Sequence, residues 1–516
     1  MLKRVLAFGL TAGLAAAVLG GCGNSGTTKP VPGNGTLFTF VGDTPACDIL
    51  TFRTTLTGLT LTGGSSTATV LNSASAAVKV NFAALRDFST VLNFTNVPEG
   101  TYDKATVTFS APQMNVYSPL ANPPFAAITV NLSNTKPSFS ISPPLTVTKG
   151  ETIGLRMDFD VLHSIQFDAS GQVAPDVTPV MTLTPVNASS DQGFGEMDDV
   201  LGFVQRVDTF SANPSFIGDF AMQLLSGTGP SIVVSLMAPP SPTRNCQLEG
   251  CTTVCVGPPS ASGEPCAQLQ KLSQLLTGSF VEVDGYVDAK ANFVANSVEV
   301  EDQEDVANKK IALLGYVTSV TRDTSGNLTQ FNLYVREEEP DDEFDVSLDS
   351  IVAVNVSSST IYQFASRSTN FANLPFDSTS VQVGQELIVH GVVTKAPAPA
   401  AGQPALPATD AADKVYLKLQ THPGNFASLV QAGSDDKTGA FTFSPCASFF
   451  QDRAMMVFTS GQTAFVNVGG LNELTPQPSL LVKGLLFFES QGTTINGVTV
   501  PAGTFVLLAK QVHQTI

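Results

Sequence analysis

Three times in this chain an alternating apolar stretch is broken by a glycine at the same point. Val200–Val207 reads VLGFVQRV, Leu313–Val320 reads LLGYVTSV and His422–Leu429 reads HPGNFASL. Gly202, Gly315 and Gly424 align, and Ser319 and Ser428 follow four residues on. A second set lies further along each copy: FVEVDGYVD (Phe280–Asp288), ELIVHGVVT (Glu386–Thr394) and SLLVKGLLF (Ser479–Phe487), with Gly285, Gly391 and Gly484 aligned. Each copy closes on another alternating run: NSVEVED, KVYLKLQ and TFVLLAKQV. A period of two marks half-buried strands. A glycine inside a strand marks a bulge or a tight corner, and small closed barrels need such corners. The repeat therefore predicts three OB-like β-barrels, over residues 195–308, 311–420 and 424–516.

Residues 35–190 carry the same alternation without the repeat, in GLTLTG, AAVKVNF, KATVTFSA and AAITVNLS. This block is predicted to be a β-sandwich-like lead domain, with a turn at Pro98-Glu99-Gly100 and a helical turn or two within Phe82–Leu92. Hydrophobic residues make up 43% of the 516, enough to fill several cores, while 42 glycines and 33 prolines punctuate the strands. The fold class is all-β. Insertions fall in the expected loops. A cysteine-rich stretch interrupts the first repeat, and the Pro/Ala-rich KAPAPAAGQPALPATDAADK (Lys395–Lys414) interrupts the second, where it reads as an exposed excursion.

Four signatures in the lead block coincide with a known pattern: Gly42-Asp43-Thr44-Pro45, Pro98-Glu99-Gly100-Thr101-Tyr102, GLRMDFDV (Gly154–Val161) and VTPVMTLTPV (Val177–Val186). The block resembles domain-of-unknown-function family 4382, exported bacterial and archaeal domains often found on lipoproteins. The repeats, with their opening GxVxxV and later VxVxG, resemble domain-of-unknown-function family 5666, short exported β modules that occur in tandem. Neither resemblance implies an activity.

The N-terminus, MLKRVLAFGLTAGLAAAVLGGC, has two basic residues, then an apolar run from Val5 to Leu19. That run is shorter than the ~20 residues of a membrane span and has the form of a secretory signal peptide. Leu19-Gly20-Gly21-Cys22 resembles the bacterial lipobox, which implies cleavage after Gly21 (residues 1–21 removed) and lipidation of Cys22. Residues 22–34 then read as a Gly/Ser/Thr/Pro-rich tether. Gly at position 23 resembles lipoproteins sent to the outer membrane of a diderm cell.

With Cys22 acylated, Cys47, Cys246, Cys251, Cys255, Cys266 and Cys446 remain. Six is even, and an exported chain can form disulfides. The spacing C-x4-C-x3-C-x10-C over Cys246–Cys266 carries only half of a zinc knuckle pattern. Two local disulfides are favoured there over a metal. Cys47 and Cys446 either pair with each other or stay reduced and buried; sequence separation does not decide.

Chemistry-bearing patterns are few. No H-E-x-x-H, G-x-S-x-G, Walker or dinucleotide motif occurs. His390 precedes the kink glycine of the second repeat, where the other repeats have Asp284 and Lys483. Three unrelated residue types at one position read as an outward surface site. Asp158 and Asp160 share one face of a strand and form the best Ca²⁺ candidate, since Ca²⁺ takes several oxygen ligands; otherwise no cofactor is expected. The net charge of −18 becomes −20 when residues 1–21, with Lys3 and Arg4, are removed. That charge, with no basic groove and no Trp for stacking, argues against nucleic acid. The expected function is non-enzymatic: a lipid-anchored envelope protein whose tandem modules form an extended binding or spacer array for a protein or glycan partner. The alternatives are an envelope hydrolase with a non-contiguous site and a purely structural spacer.

Overall fold

In a computed structural model the described residues are 33–44, 46–72, 78–85, 89–118, 125–167, 173–188, 194, 196–209, 216–224, 231–237, 253–256, 275, 277–288, 292–300, 310–339, 348–364, 371–395, 407–450, 453–475 and 480–514. They are mostly strand with very little helix, as the alternation requires.

The lead domain is built on one large sheet rolled over one core, with a separate small sheet of Ile165–Phe167, Val173–Val177 and Asn131–Leu132. In spatial order the strands of the large sheet are Ser66–Asn72, Ile49–Gly63, Gly100–Tyr117, Ser138–Val147, Met181–Val186, Thr152–Asp160, Asn34–Thr44 and Ser89–Pro98. Val78–Asn81 and Phe125–Thr129 attach at the side, completing ten strands. The two end strands, Ser66–Asn72 and Ser89–Pro98, touch, so the opposing layers are halves of one continuous sheet. Phe52, Phe82, Phe109 and Phe159 pack at the centre, with Phe82 stacked on Phe159 at 4.4 Å between ring centroids. Burying such a side chain stabilises by roughly 1.5–3 kcal/mol. The helical stretch expected in Phe82–Leu92 is one 3₁₀ turn, Phe82–Ala84; Ser89 already begins a strand.

Each repeat closes as an OB-like barrel. In the first, Glu196–Thr209, Phe216–Leu224 and Ser231–Met237 form an antiparallel meander. Phe280–Val287 pairs with the first strand, Phe293–Val300 pairs with Phe280–Val287, and the parallel pairing of Ser231–Met237 with Phe293–Val300 shuts the ring. The second barrel repeats this order with Lys310–Arg322, Leu328–Glu339, Ile351–Asn355, Glu386–Thr394 and Ala408–Leu417. The third uses Gln420–Ala432, Gly439–Pro445, Met455–Thr459, Leu480–Glu489 and Thr504–Gln514. In each, a short extra strand (Thr253–Val256, Ile361–Phe364, Ala464–Val466) runs parallel to the last strand beyond the closure.

The repeated glycines are explained by close approach between strands. A Cβ on Gly202, Gly315 or Gly424 would lie 2.3, 2.0 or 2.3 Å from a carbonyl oxygen of the second strand. On Gly285 and Gly484 it would lie 2.0 and 2.3 Å from a carbonyl oxygen of the last strand. At that second point each barrel has a bulge, between Asp284/Gly285, His390/Gly391 and Lys483/Gly484. The glycine there pairs with Ala295, Ala412 or Ala509, so all three copies set an alanine opposite.

Two sequence expectations are corrected. Lys395–Lys414 is not an exposed excursion throughout, because the last strand of the second barrel begins at Ala408 and Asp410 and Ala412 are buried. A carboxylate at a core-facing position hid the strand. His390 is likewise not a surface residue. It is 5% exposed and Lys483 is 3% exposed. Both follow inward-facing residues and so point away from the barrel interior, but that outer face is covered; the Tyr416 ring stands edge-on to His390 at 5.2 Å.

Candidate functional site

The lead domain meets all three barrels, through an apolar joint, an ion-paired joint and a disulfide-bonded joint. Along Asn34–Thr44, Leu37 and Val41 face the lead core, while Phe38 and Phe40 face the other way. They join the core of the first barrel with Phe194, Met197 and Val200, and Phe38 stacks on Phe40 at 5.1 Å.

At the second barrel, Arg53 of the lead domain forms an ion pair with Asp349 and donates its other terminal nitrogen to the Arg336 carbonyl. Thr51 Oγ1 and the Tyr334 hydroxyl both donate to Asp349 Oδ1, at 3.0 and 2.9 Å. Burial, with Asp349 beside it, holds the Tyr334 hydroxyl far above its usual range, so Tyr334 stays a donor. Behind it, Arg336 Nη1 donates to the Tyr316 hydroxyl at 2.9 Å, and Nη2 lies 3.2 Å from Glu386 Oε1. The Arg336 guanidinium also sits over the Tyr316 ring at 5.1 Å.

At the third barrel, Cys47 and Cys446 form a disulfide. Asp48 next to it accepts from the Ser448 amide at 2.7 Å and from the Ser448 hydroxyl at 2.6 Å. Asp48 has φ 60°, a region Asp tolerates better than most residues, and this turns its carboxylate toward Ser448. Tyr117 stacks on Phe449 at 3.9 Å, and Leu50 enters the core of that barrel. The lead domain is bonded to the last module as well as the first, so the modules do not form an open row.

The Ca²⁺ candidates are each engaged locally. Asp158 pairs with Arg156 at 2.9 Å. Asp160 accepts from the His163 amide at 3.0 Å, capping the turn Val161–Ser164, and contacts His163 Nδ1 at 2.6 Å. Among the described residues no three His, Cys, Asp or Glu side chains gather as a metal site. The Asp160–His163 pair is half of a general-base arrangement, with a solvent-facing imidazole. The adjacent Ser164 hydroxyl is committed: it donates to the Asp160 carbonyl at 2.5 Å and accepts from the Val180 amide at 2.9 Å. Cys255 lies in the strand Thr253–Val256, in register with Glu299. Gly21, Cys22, Cys246, Cys251 and Cys266 lie outside the described residues.

Sequence reasoning missed Asp410. It is fully buried in the second barrel, and neither carboxylate oxygen has a hydrogen-bond partner. A Cβ on Gly391 would lie 2.0 Å from its Oδ1, so the carboxylate fills the space the glycine leaves. Burial raises its pKa to about 7, against the opposing pull of His390 and with a smaller push from Asp413. The signal was present in the repeat. Counting back two from the shared alanine gives Phe293 and Leu507 in the other barrels, both core residues. A scan against protein-family models finds no match to this chain, and a search of curated proteins finds no significant match.

Proposed function

We propose that this chain is a lipid-anchored cell-envelope protein, without catalytic activity, that serves as a braced scaffold for a protein or glycan partner. The observation that carries this reading is the Cys47–Cys446 disulfide across the joint between lead domain and third barrel. Disulfides persist in oxidising compartments, outside the cytosol. The Leu19–Cys22 sequence supplies an address and an anchor consistent with that compartment. The resemblance of the repeats to tandem exported β modules supports the same location. Clamping the barrels onto the lead domain fixes their mutual orientation, which suits a surface that must be presented in one shape. The acidic balance of −18 favours a protein or glycan over nucleic acid.

The test uses the full chain expressed with its own N-terminus in a diderm bacterium. It should take up labelled palmitate and fractionate with the outer membrane, and Cys47 and Cys446 should resist alkylation until reduced. Acyl labelling unchanged by Cys22→Ser would overturn the anchor, and free alkylation of both cysteines in intact cells would overturn the oxidising location. Cross-linking in the native envelope tests the partner. A chain that cross-links to no protein and no glycan is a spacer, not a binding scaffold.

A further inference from the structure

Asp410 stands where the other two barrels bury a large apolar side chain, and neither of its carboxylate oxygens has a hydrogen-bond partner. Its flanking residues Ala408 and Ala412 share its face, and its register partners are Val354 on one side and Val393 on the other. The strand Ile351–Asn355 carries no titratable side chain. On Glu386–Thr394 the near titratable group is His390, on the opposite face of the strand, with Lys395 exposed past its end. On Ala408–Leu417 the near groups are Asp413, at the bulge, and Lys414. None of these is within hydrogen-bond distance of either carboxylate oxygen. Among the described residues no three metal-ligating side chains gather there, whereas Ca²⁺ takes six to eight oxygens. A proton is the remaining way to remove the charge, because an isolated ionised carboxylate is among the costliest groups to bury.

We infer that Asp410 is a proton-binding site that locks the second barrel: protonated, it packs as the core residue the repeat requires, and ionised, it loosens the seam between Glu386–Thr394 and Ala408–Leu417. The near-neutral titration of the carboxyl puts the transition within the range an envelope protein meets. The device is confined to the second barrel. The third barrel, with Leu507 at the same place, is its internal control.

The sign follows from proton binding. The folded chain holds this proton up to about pH 7, while the unfolded chain releases it at about pH 4. Stability from this group is therefore complete below about pH 4, falls as pH rises through about 7, and is flat above.

The experiment compares wild type with Asp410→Leu, the residue of the third barrel, and with Asp410→Asn, which keeps the shape and cannot ionise. The melting temperature of Asp410→Leu minus that of wild type should be small at pH 4 and should rise by roughly 5–10 °C by pH 8. A difference that is constant with pH overturns the inference. Infrared titration of the wild-type chain needs no variant. A carboxylic-acid carbonyl band lost with a midpoint near pH 7 is expected, and its absence at pH 5–6 overturns the proposal. Hydrogen exchange adds the conformational readout. Protection of Glu386–Thr394 and Ala408–Leu417 should be lower at about pH 8 than at about pH 4, relative to Leu480–Glu489 and Thr504–Gln514, after correction for intrinsic rates. Equal behaviour of the two barrels would exclude a lock.

Discussion

Cys47 and Cys446 are 399 residues apart in sequence and 5.6 Å apart between Cα atoms. A bond across that separation makes the lead domain and the third barrel two ends of one covalent loop that contains the first two barrels. The bridge does not act alone, since Asp48 grips Ser448 and Tyr117 stacks on Phe449 beside it. Reduction, or Cys446→Ser, should lower unfolding stability by about 2–5 kcal/mol in urea titration. The joint should stay docked at low denaturant, because its polar and aromatic contacts survive. If the reduced chain scatters X-rays as a markedly longer particle without denaturant, the bridge alone holds the joint and this view of it is wrong.

The Arg336–Glu386 pair should matter more than the Arg53–Asp349 pair. The side chains of Arg336 and Glu386 are 4% and 8% exposed, against 18% and 15% for Arg53 and Asp349. Removing one partner of a buried pair leaves a charge without compensation, at about 3–5 kcal/mol. Glu386→Ala should therefore cost that much, and Asp349→Ala less. Asp349→Ala should also free the Tyr334 hydroxyl, which ultraviolet titration can follow as a phenol that ionises more readily than in wild type. Equal denaturation midpoints for the two variants would contradict the ranking.

The repeat glycines give a sharper contrast. Gly315→Ala sets a methyl 2.0 Å from the Tyr334 carbonyl oxygen, a backbone atom that cannot turn aside. Overpacking of this kind costs about 1–3 kcal/mol, and the second barrel should lose that in a denaturant titration. Gly64→Ala meets nothing within 4 Å, though its φ of 55° brings a left-handed penalty of roughly 1 kcal/mol. Gly315→Ala should be the worse of the two, and the reverse order would refute the close-approach account.

The same glycines show why so much of the fold was legible. A site where only hydrogen fits keeps its residue in every copy, so Gly202, Gly315 and Gly424 align by eye and announce three closed units. Asp410 was illegible for the opposite reason. It breaks the alternation at a core position, so its strand read as an excursion, and only the alanines opposite the kink glycines restore the register. His390 was misjudged because direction and exposure are separate. It points away from the barrel interior, as its place in the strand dictates, yet it is covered. The pairing of Cys47 with Cys446, and that of Arg53 with Asp349, depends on how whole domains dock, and no local pattern encodes docking.

Asp219 supplies a test of pH dependence in the first barrel. It is 3% exposed and stands directly opposite Asp208 on the neighbouring strand. Burial raises its pKa first and Asp208 adds to this, while Arg206, 2.6 Å from Asp208, partly offsets both. An acid raised on folding stabilises fully below its unfolded value near 4 and loses that contribution as pH rises through the folded value. Asp219→Asn cannot ionise and escapes the loss. It should match wild type or fall slightly below it near pH 3, where both side chains are neutral, and should exceed it at pH 7. The measurement is the urea midpoint of each chain at the two pH values. A variant that is weaker than wild type by the same margin at both would mean that Asp219 carries no proton-linked penalty, and this account of its burial beside Asp208 would be wrong.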